Sequence, residues 1–205
     1  MIKLAAFLGN PGPNYAGNRH NAGRLLVESL PFYSELSWQK KFKGLYAAVN
    51  RTQFLKTCDA PLADEMPEKI HFLMPETYMN CSGEPVHQAA VFFKIKPEEI
   101  LVIHDELEIP LGFLSLKFSG GLGGHNGLRS MKACFSTADF WRLRLGIGRP
   151  SHDDISGWVL SDFSYAEIDT LRPALEAGSD LLIRVLSGNP ENLLPEWAKK
   201  AVKGD

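Results

Sequence analysis

Short apolar segments alternate with helix-like patterns along this chain, and no Pro/Ser-rich linker, low-complexity tract or repeat separates them. Strands interleaved with helices bury their apolar faces most simply as a sheet with helices packed on it. Residues 4–8, 70–74 and 100–104 read as strands, as do Phe113–Phe118 and Trp141–Gly146, and residues 46–49 and 54–56 are further strand candidates. Helices are expected from an Asn21 cap to about Leu30, from a Ser82 cap to Phe93, and from the end of a glycine-rich loop to Phe135. Two more are expected over residues 165–186 and 191–201. The hairpin-like stretch 106–118 argues against a wholly parallel sheet. The expectation is therefore an α/β fold: a single compact domain over residues 1–205, with a mixed β-sheet flanked by helices.

The run 4–8 follows a single basic residue, Lys3, and is closed at once by Asn10-Pro11-Gly12. It is too short for a signal segment or a membrane span. Cys58, Cys81 and Cys134 are odd in number and form no C-x-x-C pair, as expected of reduced thiols. Together these features lead to the expectation of a cytoplasmic protein. The net charge of −2 does not announce a nucleic-acid partner. Its distribution is more suggestive, because Lys117, Arg129, Lys132, Arg142, Arg144 and Arg149 crowd the middle third. A local basic face can hold phosphate even on a slightly acidic protein, since screening limits each charge to about 8–10 Å.

Three stretches carry groups suited to chemistry. The turn-rich loop from Gly9 to Gly17 leaves the first strand and leads to Arg19-His20-Asn21. Loops at the carboxyl ends of strands are where open α/β sheets bind ligands. A histidine beside a helix start is kept neutral and able to accept a proton. His104-Asp105-Glu106 ends an apolar strand, with His104 and Glu106 on one face and Asp105 on the other. No P-C-x-x-C follows and no H-E-x-x-H is present, so a zinc reading has no ligand set, whereas a carboxylate there can orient a histidine. The loop Gly120–Gly127 lacks the Gly-Lys-Ser/Thr ending of a P-loop and does not fit G-x-G-x-x-G, and it sets His125 and Asn126 at a helix start. Strand alternation puts Arg142 and Arg144 on one side, and Lys117 opposite Leu116 and Phe118, as a phosphate-contacting or merely solvated face would require.

Taken together these stretches resemble the peptidyl-tRNA hydrolase family of the bacterial type, nearly end to end. The carriers are Leu8-Gly9-Asn10-Pro11-Gly12, Tyr15, Arg19-His20-Asn21-Ala22-Gly23, Thr77-Tyr78-Met79-Asn80, His104-Asp105-Glu106-Leu107, Gly123-Gly124-His125-Asn126-Gly127-Leu128 and Arg142-Leu143-Arg144-Leu145-Gly146-Ile147-Gly148. The resemblance implies that His20 is the catalytic base and that Asp105 holds it in its useful tautomer. It implies that Asn10 and Asn80 read the peptide main chain, and that Asn126 places the water and the bound substrate. Tyr15, Tyr78 and Met79 would line the groove, and Lys117 and Arg144 would hold the tRNA's terminal phosphate. It implies no metal and no organic cofactor, peptidyl-tRNA as the partner, and a monomer with no obligate protein partner and no membrane.

These residue types suit hydrolysis of an ester by water. A positioned base contributes about 10²–10⁴-fold, and neutral amide donors to a developing oxyanion contribute about 10²–10³-fold. No serine or cysteine sits in a G-x-S-x-G context, which favours direct attack by water over an acyl-enzyme. Two other classes stay open: an RNA-binding scaffold without turnover, and an esterase or amidase for small acylated substrates. Leu122 and Arg149 depart from the family pattern, which carries a polar residue and a histidine at those places; altered loop mobility and added phosphate affinity are the respective expectations.

Overall fold

The structure is a computed structural model that describes residues 1–58, 66–151 and 153–202. In chain order the elements are β1 (Leu4–Phe7), α1 (Ala22–Glu28), β2 (Gln39–Lys41), β3 (Gly44–Asn50), α2 (Arg51–Cys58), β4 (Lys69–Pro75), α3 (Gly83–Phe93) and β5 (Ile100–Glu106). There follow β6 (Phe113–Phe118), α4 (Asn126–Phe135), β7 (Trp141–Gly146), α5 (Ile155–Val159), α6 (Tyr165–Ser187), α7 (Leu194–Trp197) and β8 (Lys200–Ala201). The strands form one eight-stranded sheet in the order β2-β3-β4-β1-β5-β7-β6-β8. The inner strands β4, β1, β5 and β7 run parallel. The outer pairings of β2 with β3, β3 with β4, β6 with β7 and β6 with β8 are antiparallel, so the sheet is mixed as expected.

Helices cover both faces, and the alternation of β1 divides the core between them. Ala5 and Phe7 join Leu26 and Val27 of α1 and Leu181, Leu182 and Val185 of α6. Leu4, Ala6 and Leu8 join Val86 and Ala89 of α3 and Leu128 and Met131 of α4. This double coverage is why the central strands read as continuous apolar runs. Among the described residues no helix is long and apolar enough to cross a membrane.

Several expected elements differ. Residues 54–56 lie in helix α2, not in a strand. The signal is Asn50, whose Oδ1 accepts the N–H of Gln53 at 2.8 Å and so caps the helix, while three residues are too few to set a period. Residues 191–201 are not one helix: a 3₁₀ turn Pro190–Leu193 leads into α7, and the chain then extends as β8 along β6. Asn21 and Ser82 stand at helix starts, but neither side chain caps. Asn21 is instead engaged by a partner eleven residues earlier, the backbone of Asn10.

One close approach fixes where α1 sits. A Cβ on Gly23 would lie 2.6 Å from the carbonyl oxygen of Ile103 and 2.8 Å from that of Leu8. Only glycine lets the helix rest on the carboxyl ends of β1 and β5, and His20 is carried to the sheet by the same contact. Gly23→Ala is predicted to destabilise the fold by about 1–3 kcal/mol, the cost of overpacking a filled site. Urea unfolding checks this, and an unchanged midpoint would show that α1 shifts without cost.

Candidate active site

The parallel strands end at one edge of the sheet, and the loops that leave them form a cleft of about 790 Å³. Asn10, Tyr15 and His20 come from the connection after β1, Tyr78, Met79 and Asn80 from that after β4, Asp105 from the end of β5, and Asn126 from the start of α4. These eight residues, scattered over 117 positions of sequence, thus line a single cavity. Ile155, Val159 and Leu160 of α5 and its C-terminal end form an apolar wall opposite them.

At its floor lies Asp105, whose side chain is 2 % exposed. Its Oδ1 accepts the Nδ1–H of His20 at 2.9 Å and the Nε2–H of His125 at 3.0 Å. Both tautomers follow from the chemistry of the partners. His125 precedes α4, and its Nδ1 accepts the backbone N–H groups of Gly127 at 3.0 Å and Leu128 at 3.3 Å, so its proton must be on Nε2. His20 turns its Nδ1–H to the carboxylate, which leaves Nε2 with a lone pair and no protein partner among the described residues. Burial pushes the Asp105 carboxyl up, but the His125 and His20 side chains directed at it outweigh this and hold it well below the usual carboxylate range. Asp105 is therefore an anion in contact with two histidines.

Asn10 is fixed as firmly. Its backbone N–H donates to Asn21 Oδ1 at 2.8 Å, its carbonyl accepts from Asn21 Nδ2 at 3.0 Å, and its Oδ1 accepts the N–H of Met79 at 2.8 Å. Because a backbone N–H can only donate, the amide orientation is set, and Nδ2 is left without a protein partner among the described residues. The same bond ties the first loop to the Met79–Cys81 turn. Gly127 closes the arrangement, since a Cβ there would meet Met79 Sδ at 2.6 Å and Leu8 Cδ1 at 2.8 Å. Asn80 and Asn126 are exposed, Tyr78 is 60 % exposed, and its ring meets that of Tyr15 edge-on at 6.2 Å.

His20, Asp105 and His125 each offer a ligand atom, and these atoms lie within 4.8 Å of one another, as a metal site would require. The donor chemistry does not fit. With Nδ1 of His125 accepting two N–H groups, Nε2 has no lone pair to offer a cation unless the ring becomes an imidazolate. The observed network is a hydrogen-bonded anion and not a ligand set.

Lys117 and Arg144 do not line the cleft. They lie on the neighbouring strands β6 and β7, two register positions apart: Lys117 pairs with Arg142, and Ser115 pairs with Arg144. Arg142, expected on a solvated or phosphate-contacting face, is 1 % exposed, and its Nη1 donates to the Gly121 carbonyl at 2.7 Å. It is covered by the glycine loop that follows β6. Arg149 lines the cleft but is paired with Glu108, and Leu122 packs on the core beneath α3 and α4. Sequence reasoning missed two contributors. The sequence sets His125 at a helix start, where a histidine can both cap and donate. Arg19 anchors the wall: its guanidinium bonds both Glu167 oxygens at 2.8 and 2.7 Å and Ser161 Oγ at 2.7 Å, and lies 3.7 Å from the centroid of Trp158.

His104 lies behind this floor, 1 % exposed, with Nδ1 against the Asp105 carbonyl at 2.6 Å and Nε2 unpartnered. Burial, with the neighbouring His125 adding to it, pushes its pKa well below the ordinary histidine value. The unfolded chain takes up a proton near pH 6.5 that the folded chain refuses, so stability falls as pH drops below that value. His104→Asn is predicted to flatten the fall between pH 6.5 and 5 by up to about 1.4 kcal/mol per pH unit. Denaturant titrations at several pH values check it, and an unaltered slope would place the proton uptake elsewhere.

Comparison with known proteins came out consistently. The family model described as "Peptidyl-tRNA hydrolase" matches residues 4–204. The peptidyl-tRNA hydrolase of Treponema pallidum is 42 % identical over 204 residues, covering 97 % of this chain and 96 % of that protein. That of Halorhodospira halophila is 44 % identical over 190 residues, covering 91 % of each. The crystal structure of peptidyl-tRNA hydrolase from Acinetobacter baumannii superposes with a TM-score of 0.82 at 33 % identity, covering 95 % of this chain and 93 % of that one.

Proposed function

This chain belongs to the peptidyl-tRNA hydrolase family, a family of hydrolytic enzymes, and from that premise we propose that residues 1–205 act as one domain that cleaves the ester between a peptide, or an N-blocked amino acid, and the 3′ end of tRNA. The observation that carries the reading is the pairing of His20 with a buried, ionised Asp105 at the floor of the cleft. His20 Nε2, with its free lone pair, takes a proton from a water molecule as that water attacks the ester carbonyl. The imidazolium so formed is held by the Asp105 carboxylate, and its proton then passes to the departing ribose oxygen. The products are the peptide carboxylate and the tRNA hydroxyl. Among the described residues no serine or cysteine bonds His20, which supports water as the nucleophile.

Asn10 Nδ2 and the side chains of Asn80 and Asn126 supply neutral donors for the peptide main chain and the developing oxyanion, without charge that would repel RNA. Tyr15, Tyr78 and Met79 form the groove in which the peptide lies. Lys117 and Arg144 bind the terminal phosphate of the tRNA, a role supported by their clustering with Arg142: after desolvation, Arg142 and Arg144 both help to lower the Lys117 pKa. On this proposal the enzyme is a cytoplasmic monomer whose three free thiols suit a reducing compartment, and it recycles tRNA for translation without a metal or organic cofactor.

Release of N-acetyl-amino acid from N-acetyl-aminoacyl-tRNA tests this. His20→Ala is predicted to lose at least about 10²-fold in kcat, the lower end of what a positioned base contributes. Asp105→Asn is predicted to lower kcat as well, because an amide cannot stabilise the imidazolium. Turnover within tenfold of wild type for His20→Ala would remove the histidine from the mechanism.

A further inference from the structure

Glu106 follows Asp105 on β5, also lines the cleft, and turns its carboxylate toward Arg144. Its Oε2 lies 3.5 Å from Arg144 Nη1, and its Oε1 accepts the N–H of Glu108 at 3.2 Å. A Cβ on Gly123 would lie 3.4 Å from Oε1, so the carboxylate also abuts the glycine loop. Arg144 Nη2 is taken by Ser115 Oγ at 2.7 Å and its Nε has no partner. Arg142, almost wholly buried, has one bond, to Gly121, and leaves Nε and Nη2 unpartnered. A Cβ on Gly120 would meet Lys117 Nζ at 3.0 Å and Arg142 Nη2 at 3.4 Å, so these two cations flank one glycine. Glu106, itself 9 % exposed, thus contacts Arg144 directly, and its charge also acts on Lys117 and Arg142.

We propose that Glu106 is an affinity-setting residue that competes with phosphate for Arg144 and thereby limits how tightly the enzyme holds tRNA. The proposal rests on the reading that Lys117 and Arg144 bind a terminal phosphate. A phosphate remote from the ester is present in the substrate and in the released tRNA alike. Binding energy from it is therefore uniform, and any excess holds the product without accelerating chemistry. A carboxylate within the cluster lowers the positive potential felt by an incoming phosphate. It does so most for a terminal phosphomonoester, which carries close to two negative charges, and less for a singly charged phosphodiester. The loose 3.5 Å contact with Arg144, against 2.7 Å to Ser115, is the contact that a phosphate can displace.

The test uses the full chain and two catalytically inert acceptor-stem RNA hairpins, one with a 5′-phosphate and one with a 5′-hydroxyl. The readout is the ratio of their dissociation constants. Wild type should favour the phosphorylated hairpin, and Lys117→Ala or Arg144→Ala should bring the ratio close to one. Glu106→Gln keeps the shape and the acceptor for Glu108 but removes the charge. It should raise the ratio by about tenfold, as expected for loss of one charge near a phosphate in a partly solvated site, and deacylated tRNA should become a stronger competitive inhibitor. Glu106→Asp, which keeps the charge, should stay near wild type, and Glu106→Ala should move in the same direction as Glu106→Gln. A ratio that is unchanged or reduced in both Glu106→Gln and Glu106→Ala would overturn the proposal, because Glu106 would then only brace Arg144. A wild-type ratio of one would instead refute the phosphate site on which it rests.

Discussion

The site depends on one buried anion. Asp105 lies almost wholly buried at the floor of the cleft, and a carboxylate in such a place persists as an anion only with donors directed at it. Two histidines from separate parts of the chain both donate to its Oδ1, and in doing so each is fixed in ring orientation and tautomer. The start of α4 reinforces this, because its first N–H groups occupy the other nitrogen of His125. A helix cap, a strand end and a turn after β1 are thereby held in one bonded unit, and the free nitrogen of His20 is its consequence.

That unit is placed by packing. α1 lies against the carbonyls of Leu8 and Ile103 because Gly23 has no side chain, and α4 lies against Met79 and Leu8 because Gly127 has none. Asn10 and Asn21 then stitch the first loop to the start of α1, and Asn10 reaches across to Met79. The outer wall is a separate assembly fastened through Arg19, the residue just before the histidine. A change in either wall therefore reaches His20 through short, bonded paths.

Much of this was legible in the sequence, for identifiable reasons. The central strands are apolar on both faces and cannot be mistaken for amphipathic segments, and the glycines and asparagines of the site fall in contiguous motifs that resemble one family. What the sequence did not disclose is what depends on partners distant along the chain. Asn21 looks like a cap until Asn10 competes for it. His125 looks like a loop residue until Asp105 lies within reach of its Nε2. Residues 54–56 are too few for period two to be told from period 3.6. Arg142 obeys strand alternation, yet alternation says nothing of the loop that folds back over it and buries it.

The protonation pattern around Asp105 prepares His20 as the base, and nitrogen NMR of the histidine rings reads it directly. In the wild-type enzyme near neutral pH, His20 should carry its proton on Nδ1 with Nε2 unprotonated, and His125 should show the reverse pattern. Asp105→Asn should abolish the preference of His20, since an amide offers a donor and an acceptor in place of a carboxylate. A His20 ring protonated on Nε2 in the wild-type enzyme, or one whose tautomer is unmoved in Asp105→Asn, would contradict the claim that Asp105 prepares His20 as the base.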